Sequence, residues 1–304
     1  MEQVPLGSSG LMVSGLGYGC RSLSYAPRDD EASAAVLRHA LELGVTFFDT
    51  ADEYGEGHNE ELVGRVFAGR SDELVLASKL GCVGNPADPA GVDGRPEQAR
   101  TACEASLLRL GLDVIDLYYL DRVDAAVPIE ETVGAMAELV AAGKVRALGL
   151  SEAVPATIRR AHAVHPITAL QTELSLCARG GEALLAVCRE LGITFVARTP
   201  LGRGSLTGHV RGAPGNVERM ARLCQMAAAL RCTPGQLALA WLLAKGSDVV
   251  PIPGTRHVSH LEQNVAALHV EPSPAQLRTL DAVFPVDAPA ARRKSVGGLE
   301  IVNR

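Results

Sequence analysis

An alternation repeated eight times constrains this chain more than any other feature: a short apolar, β-branched run, then a stretch with helical spacing. The strand-like runs begin at Gly15, Val45, Leu74, Val114, Val145, Ala169, Ile193 and Asp248. Helical spacing follows each in turn, over 29–43, 59–67, 97–110, 129–142, 156–164, 182–191, 217–244 (interrupted at Pro234) and 259–268. A last helical stretch covers 274–283. Asp29 or Asp30 is placed to cap the first helix, and Gly44, Gly111 and Gly143 follow helix ends as stops. Strands that alternate with helices form a parallel sheet, and eight such units close it into a (β/α)8 TIM barrel of the α/β class. Connections are short and no Pro/Ser-rich linker divides the chain, so residues 1–304 are read as one barrel domain. Ahead of the first unit, Val4-Pro-Leu and Leu11-Met-Val flank Gly7-Ser-Ser-Gly10. That pattern predicts a small β-hairpin plugging one end of the barrel. The rival, a doubly wound sheet, would carry G-x-G-x-x-G after its first strand; Gly15-x-Gly17-x-x-Cys20 does not.

Composition narrows the partners. A net charge of −6 and a pI of about 5.8 leave no basic footprint for nucleic acid. The apolar run Ala238–Ala244 is far below membrane length and sits in a helical pattern. Met1 to Gly7 lacks the basic start and apolar centre of a signal peptide. Seven cysteines without a C-x-x-C pair suit a reduced compartment, so a cytoplasmic location is expected. The expected partner is a small, polar substrate, with no nucleic acid, membrane or metal; oligomeric state leaves no mark in the sequence.

Within the alternation, Val45-Thr-Phe-Phe-Asp49-Thr50-Ala51-Asp52-Glu53-Tyr54-Gly55 starts as a buried strand and breaks into a polar loop. An acid on a strand's C-terminal lip with a phenol five residues on is where a barrel keeps its chemistry. By itself the stretch reads equally well as a helix-capping Asp and a Tyr covering a loop. The other units decide. Asp49, Lys79, Asp121, Ser151, Gln171, Thr199 and Thr255 all fall at or just past strand C-termini, so the alternation places them on one rim.

The motifs on that rim resemble the aldo-keto reductase family from Val4 nearly to the C-terminus. They are Asp49-Thr-Ala-Asp-Glu-Tyr54-Gly, Asn59-Glu, Ser78-Lys79, Gly143-Lys-Val-Arg-Ala-Leu-Gly149 with Ser151, Thr199-Pro-Leu-Gly-Arg-Gly204, and Pro251-Ile-Pro-Gly-Thr-Arg256 followed by Gln263-Asn264. The resemblance implies an NADP(H)-dependent oxidoreductase of carbonyls and alcohols that holds its nucleotide without a Rossmann domain. It implies that Tyr54 exchanges a proton with the substrate oxygen. A free phenol, with a pKa of about 10, is a sluggish acid at neutral pH. Lys79 is expected to lower that value, and Asp49 to hold the lysine charged and in place.

By the same resemblance Ser151 and Gln171 fix the nicotinamide carboxamide. Thr199, Pro200, Leu201, Gly202 and Arg203 run along the pyrophosphate. Gly254, Thr255 and Arg256 clamp the adenosine 2′-phosphate, and a guanidinium beside a hydroxyl favours NADP(H) over NAD(H). Gln263 and Asn264 face the adenine. His260 is assigned to the same end, where relatives often carry a longer basic or amide side chain. Gly19 and Cys20, at the end of the first strand, are assigned to the cofactor. Arg21 and Arg122, each one residue beyond a strand-end position, are assigned to the substrate.

Two positions depart from the family pattern. Relatives usually read Leu-Tyr-Tyr-Leu-His-Arg at the fourth strand, where this chain reads Leu117-Tyr-Tyr-Leu120-Asp121-Arg122. A neutral imidazole donates a hydrogen bond to a substrate oxygen; an ionised carboxylate cannot, and it opposes the charge that hydride transfer leaves there. Either Asp121 is protonated and donates, as in a glutamate-bearing branch that reduces conjugated carbon–carbon double bonds, or it stays anionic and faces a substrate amine or an iminium undergoing C=N reduction, or the site has lost its chemistry and become a cofactor-binding sensor. Retention of Asp49, Tyr54 and Lys79 ranks an oxidoreductase first. The second departure is Arg198, where many relatives place a tyrosine that stacks on the nicotinamide. The segment from Gly208 to Met220 is short, and positions such as Leu174, Cys177 and Ser205 lack the aromatics of relatives; an open, polar pocket is expected.

His162-x-x-His165 and His257-x-x-His260 have no accompanying cysteine or acid pattern and are read as solvated, as are Arg159-Arg160 and Arg292-Arg-Lys294. Cys20 and Cys82 follow strand ends, and nothing in the sequence makes either a nucleophile.

Overall fold

The computed structural model describes residues 1–83, 91–208 and 214–286. A two-stranded antiparallel hairpin, β1 (Gln3–Pro5) and β2 (Met12–Ser14), precedes eight parallel strands. These are β3 (Tyr18–Gly19), β4 (Phe47–Asp49), β5 (Val75–Leu80), β6 (Ile115–Leu120), β7 (Val145–Ser151), β8 (Ile167–Glu173), β9 (Thr194–Arg198) and β10 (Val249–Pro251), each paired with the next in sequence. The sheet curls until its ends meet, where Gly17 N–H donates to the carbonyl of Pro251 at 3.0 Å. Gly17 must be glycine: a Cβ there would lie 2.7 Å from Phe47 and 2.9 Å from Ile252. The first strand begins at Tyr18 rather than at Gly15 as its pattern suggested.

The helices lie outside the sheet: α1 (Asp30–Glu42), α2 (His58–Val66), α3 (Pro96–Leu110), α4 (Ile129–Ala141), α5 (Pro155–Val164), α6 (Leu185–Leu191), α7 (Pro214–Ala229), α8 (Pro234–Leu243), α9 (Val258–Ala266) and α10 (Pro274–Val283). Their ends follow from local chemistry. Asp29 caps α1 by accepting from Ala32 N–H, and Gly111 closes α3 in the left-handed region. The helical stretch expected from Val217 to Ala244 is two helices. Thr233 and Gln236 form a reciprocal capping box, and Pro234 opens α8. The helix expected from Glu182 is a 3-10 turn, Gly180–Leu184, that leads into α6. The basic run 292–294 and part of the 208–220 segment lie outside the described residues.

Apolar burial falls into two layers. One packs the helices onto the sheet, with Leu37, Leu62, Val133, Leu148 and Trp241 among its buried members. The other fills the barrel with Phe47, Val75, Leu117, Tyr119, Val196 and Val250, and the hairpin's Val4, Leu6 and Val13 join it as a plug. The strand C-termini are left as the polar end. Among the described residues no helix is long and apolar enough to cross a membrane.

Candidate active site

Asp49 ends β4 and Lys79 sits in β5, so parallel register brings their side chains to one level of the barrel. The Lys79 Nζ donates to Asp49 Oδ1 at 2.5 Å and to the carbonyl of Thr50 at 2.7 Å. Its third contact is the Tyr54 hydroxyl at 3.4 Å. Both members of the ion pair are buried. Burial alone would pull the Lys79 ammonium towards neutrality, but the negative charges of Asp49 and Asp121 outweigh it and hold the lysine charged. Tyr119 lies beneath, 5.8 Å from the ammonium, in space that exists because residue 149 is glycine. A Cβ on Gly149 would stand 2.3 Å from the Tyr119 ring.

The Tyr54 hydroxyl differs from expectation in one respect. Lys79 does pull its pKa down, yet burial is the larger effect and the phenol is raised above its ordinary value, helped by Asp49 and Asp121. In this protein Tyr54 is held as a neutral O–H, a proton donor in waiting rather than a phenolate.

A cavity of about 720 Å³ opens beside these groups, walled by Tyr54, Asp49 and Gln171. Gln171 Nε2 donates to Asp49 Oδ2 at 2.7 Å, so Asp49 grips lysine with one oxygen and the amide with the other. That leaves Gln171 Oε1 and the neighbouring Ser151 Oγ buried with no hydrogen-bond partner. Such orphans are uncommon in the interior of a folded protein. An acceptor paired with a hydroxyl matches the two halves of a carboxamide, whose N–H donates and whose carbonyl accepts.

The remaining expected cofactor residues divide. Gly19, Arg198, Thr199, Pro200, Leu201 and Arg203 line the cavity along one side. Gly254, Thr255, His260, Gln263 and Asn264 line its far end. Cys20, Ser151, Gly202 and Arg256 do not line it. Cys20 is fully buried, its thiol directed at the Tyr18 carbonyl and kept protonated by burial. The Arg256 guanidinium is held outside by the carbonyls of Pro27, at 2.8 Å, and Tyr25, at 3.4 Å. Thr199 and Arg203 both adopt left-handed backbone conformations, with φ of 55° and 56°. Strain of this kind collects where a loop is shaped for a ligand.

Arg198 comes from the end of β9 and its Nη2 meets Glu152 Oε1 at 2.6 Å. The same carboxylate oxygen accepts from Glu173 N–H, and Glu173 in turn pairs with Arg203 at 3.6 Å. A chain of charges therefore runs where an aromatic ring was the family norm. Sequence reading missed the turn before α8: Thr233, Pro234, Gly235 and Gln236 line the cavity too. The sequence marked only the interruption at Pro234 there, and neither the capping box nor its place beside the cavity was read from it.

On the substrate side, Arg21 lines the cavity with its guanidinium 5.6 Å from the Tyr54 ring and its Nε on the Tyr25 hydroxyl at 3.1 Å. Asp121 and Arg122 follow β6 and lie outside the cavity lining. Asp121 is buried and accepts from the Cys82 thiol at 3.1 Å. Glu53, Cys82 and Asp121 bring their ligand-type atoms within 4.8 Å of one another, the one such grouping among the described residues. Burial and the Asp121 charge keep Cys82 a thiol, so it is a hydrogen-bond donor and not a nucleophile.

Comparison with known proteins identifies the family and the fold. The sequence model of the Aldo/keto reductase family matches residues 15–284. The chain is 43% identical over 317 residues to a protein of Glycine max named "Probable aldo-keto reductase 1", covering 96% of this chain and 92% of that one. Among solved structures it resembles an aldo-keto reductase from Klebsiella pneumoniae in complex with NADPH, at 30% identity and a TM-score of 0.80, covering 96% of this chain and 98% of that one. It also resembles the holo form of the aldo-keto reductase AKR11C1 from Bacillus halodurans, at 29% identity and a TM-score of 0.83, covering 98% of this chain and all of that one (100%).

Proposed function

The chain belongs to the aldo-keto reductase family of oxidoreductases, and from its site we propose that it transfers hydride between NADP(H) and a polar carbonyl or alcohol. The observation that carries this reading is the Lys79 ammonium, fixed by Asp49 at 2.5 Å and lying 3.4 Å from the Tyr54 hydroxyl on the wall of the cavity. When bound, NADPH would supply the hydride. Ser151 and Gln171 would receive the carboxamide on their orphaned oxygens; Thr199 to Arg203 would follow the pyrophosphate, and Thr255 and Arg256 the 2′-phosphate.

The protein's own part is proton handling. As negative charge builds on the substrate oxygen, the neutral Tyr54 hydroxyl passes its proton to it. The phenolate left behind is stabilised by Lys79, whose charge Asp49 secures. In the oxidative direction the same atoms run backwards. Arg21, open to the cavity beside the Tyr54 ring, would bind polar or anionic parts of the substrate, and Arg122, outside the lining, would act on them only through its charge.

A second reading, reduction of a C=N or conjugated C=C bond, is favoured by Asp121. Its carboxylate accepts a hydrogen bond from the Cys82 thiol and so acts as an acceptor on the side of the site where relatives present a donor. Titration of NADPH fluorescence tests the shared requirement: binding at micromolar concentration is expected, and its absence would sink both readings. Turnover with aldehyde, enone and cyclic imine panels then separates them.

A further inference from the structure

Four polar side chains outside the cavity form a directed hydrogen-bond chain that ends on the catalytic loop. Asn59 is its hub. Its Nδ2 donates to the carbonyl of Cys20 at 3.0 Å and to Ser24 Oγ at 2.7 Å, and its Oδ1 accepts from Thr50 Oγ1 at 2.6 Å. The Cys20 carbonyl can only accept, which fixes the side of the amide that carries the protons. Ser24 Oγ already receives one of them and has no other acceptor among the described residues, so its own proton points to His58 Nδ1, 2.9 Å away. The Nδ1 atom must then hold a lone pair, and Nε2–H donates to Asp30 at 3.1 Å. The geometry thereby selects the neutral Nε2–H tautomer of His58.

The far end of the chain touches the chemistry. The Thr50 hydroxyl is tied to Asn59 while the Thr50 carbonyl accepts from Lys79 Nζ. Asn59 N–H also donates to the Tyr54 carbonyl at 3.1 Å. One residue thus pins both the start and the middle of the loop that presents Tyr54. Ser24 and Asn59 are buried, whereas His58 is partly open to water. The charged groups around the imidazole are Asp30 from α1, Arg65 on the second oxygen of Asp30, Glu60 and Glu61 on its own helix, and Arg109 from α3, which lies against Gly57 and pairs with Glu60. Arg21 lies in the same 3-10 turn as Ser24.

We propose that neutral His58 is a positioning residue for Tyr54 and Lys79, acting through Ser24, Asn59 and Thr50, and that its protonation slackens this loop and slows turnover. A protonated ring would turn Nδ1 into a second donor at Ser24 Oγ and reverse the chain at that point. The proposal rests on the oxidoreductase reading above, and its test has one arm that does not need turnover.

The test compares wild type with His58→Asn, whose carboxamide oxygen can stand in for Nδ1 and cannot titrate, and with His58→Leu, which removes the acceptor. Wild-type kcat with NADPH should fall on the acid side of its pH profile as the His58 ring takes up a proton. His58→Asn should rescue activity and flatten that limb. His58→Leu should lower kcat about 10-fold at every pH, the loss expected for one hydrogen bond, with KM for NADPH within about twofold. Amide hydrogen exchange at Tyr54 and Asn59 should quicken about 10-fold in His58→Leu and in wild type at low pH, but not in His58→Asn. An unchanged acid limb in His58→Asn, or exchange indifferent to His58→Leu, would overturn the proposal. If wild type turned over no substrate, the oxidoreductase reading would fail by itself, and the exchange result would still decide the role of His58.

Discussion

Lys79 and Asp49 meet at 2.5 Å with 1% and 2% of their side chains exposed, so an ion pair is sealed inside the barrel at the point where the chemistry is assigned. Removing one partner strands the other charge in a medium that solvates it poorly, at a cost of about 3–5 kcal/mol. Lys79→Met should therefore lower the melting temperature by roughly 6–10 °C, since each kcal/mol corresponds to about 2 °C in a chain of this size. The double variant Lys79→Met/Asp49→Leu should recover most of that loss while remaining inactive. Calorimetry of the two variants checks it; equal melting temperatures would show that the pair is not buried as described.

Asp121 is expected to control the bond type reduced. Replacing it by histidine restores a donor to the substrate oxygen and removes a negative charge near Tyr54, whose phenol Asp121 raises. Asp121→His should increase kcat/KM on aldehydes about 10-fold or more, the scale of a positioned proton or hydrogen-bond donor. Parallel assays on imines and enones should show no such gain.

Asp52 carries a pH signature of its own. Burial, with Glu60 and Asp121 adding to it, pushes its carboxyl up to about 8. In the unfolded chain it would ionise near 3.9, so between about pH 4 and 8 the folded state holds a proton that the unfolded state does not. Stability from this group is therefore present at low pH and lost as pH rises through that window. Asp52→Asn should stabilise the protein at pH 8 by about 1 kcal/mol or more, roughly 2 °C, and change it little at pH 4.5. Thermal melts across the range check the sign.

The carbonyls of Tyr25 and Pro27 engage Arg256 through Nη1 beside the cavity, so a 2′-phosphate would be met by the other N–H groups of the guanidinium. Arg256→Ala should weaken NADPH binding about 10-fold or more, the loss of one charge-assisted hydrogen bond, and leave NADH nearly unchanged. Fluorescence titration with both nucleotides measures the difference directly.

Much of this architecture is legible in the chain because its causes are local. The Asp29 cap, the Gly111 stop and the Pro274 start depend on neighbouring residues, and the alternation of runs alone carries the barrel. The polar rim follows, because a barrel puts every strand's C-terminus at the same end. What could not be read is tertiary. Arg198 and Glu152 are 46 residues apart, and Ser24 and Asn59 are 35 apart, with no periodicity to link them. The balance at Tyr54 was also hidden, because a sequence names the ammonium that lowers a pKa but not the burial that raises it more.

The account stands or falls on the hydroxyl of Tyr54, and Tyr54→Phe removes that oxygen and little else. The decisive measurement is kcat beside the NADPH dissociation constant for wild type and variant, on a substrate that the wild type reduces. The account predicts a dissociation constant unchanged within about twofold and a kcat lowered about 10²- to 10⁴-fold, the contribution of a positioned general acid. A variant that binds NADPH equally well and keeps its kcat would contradict it.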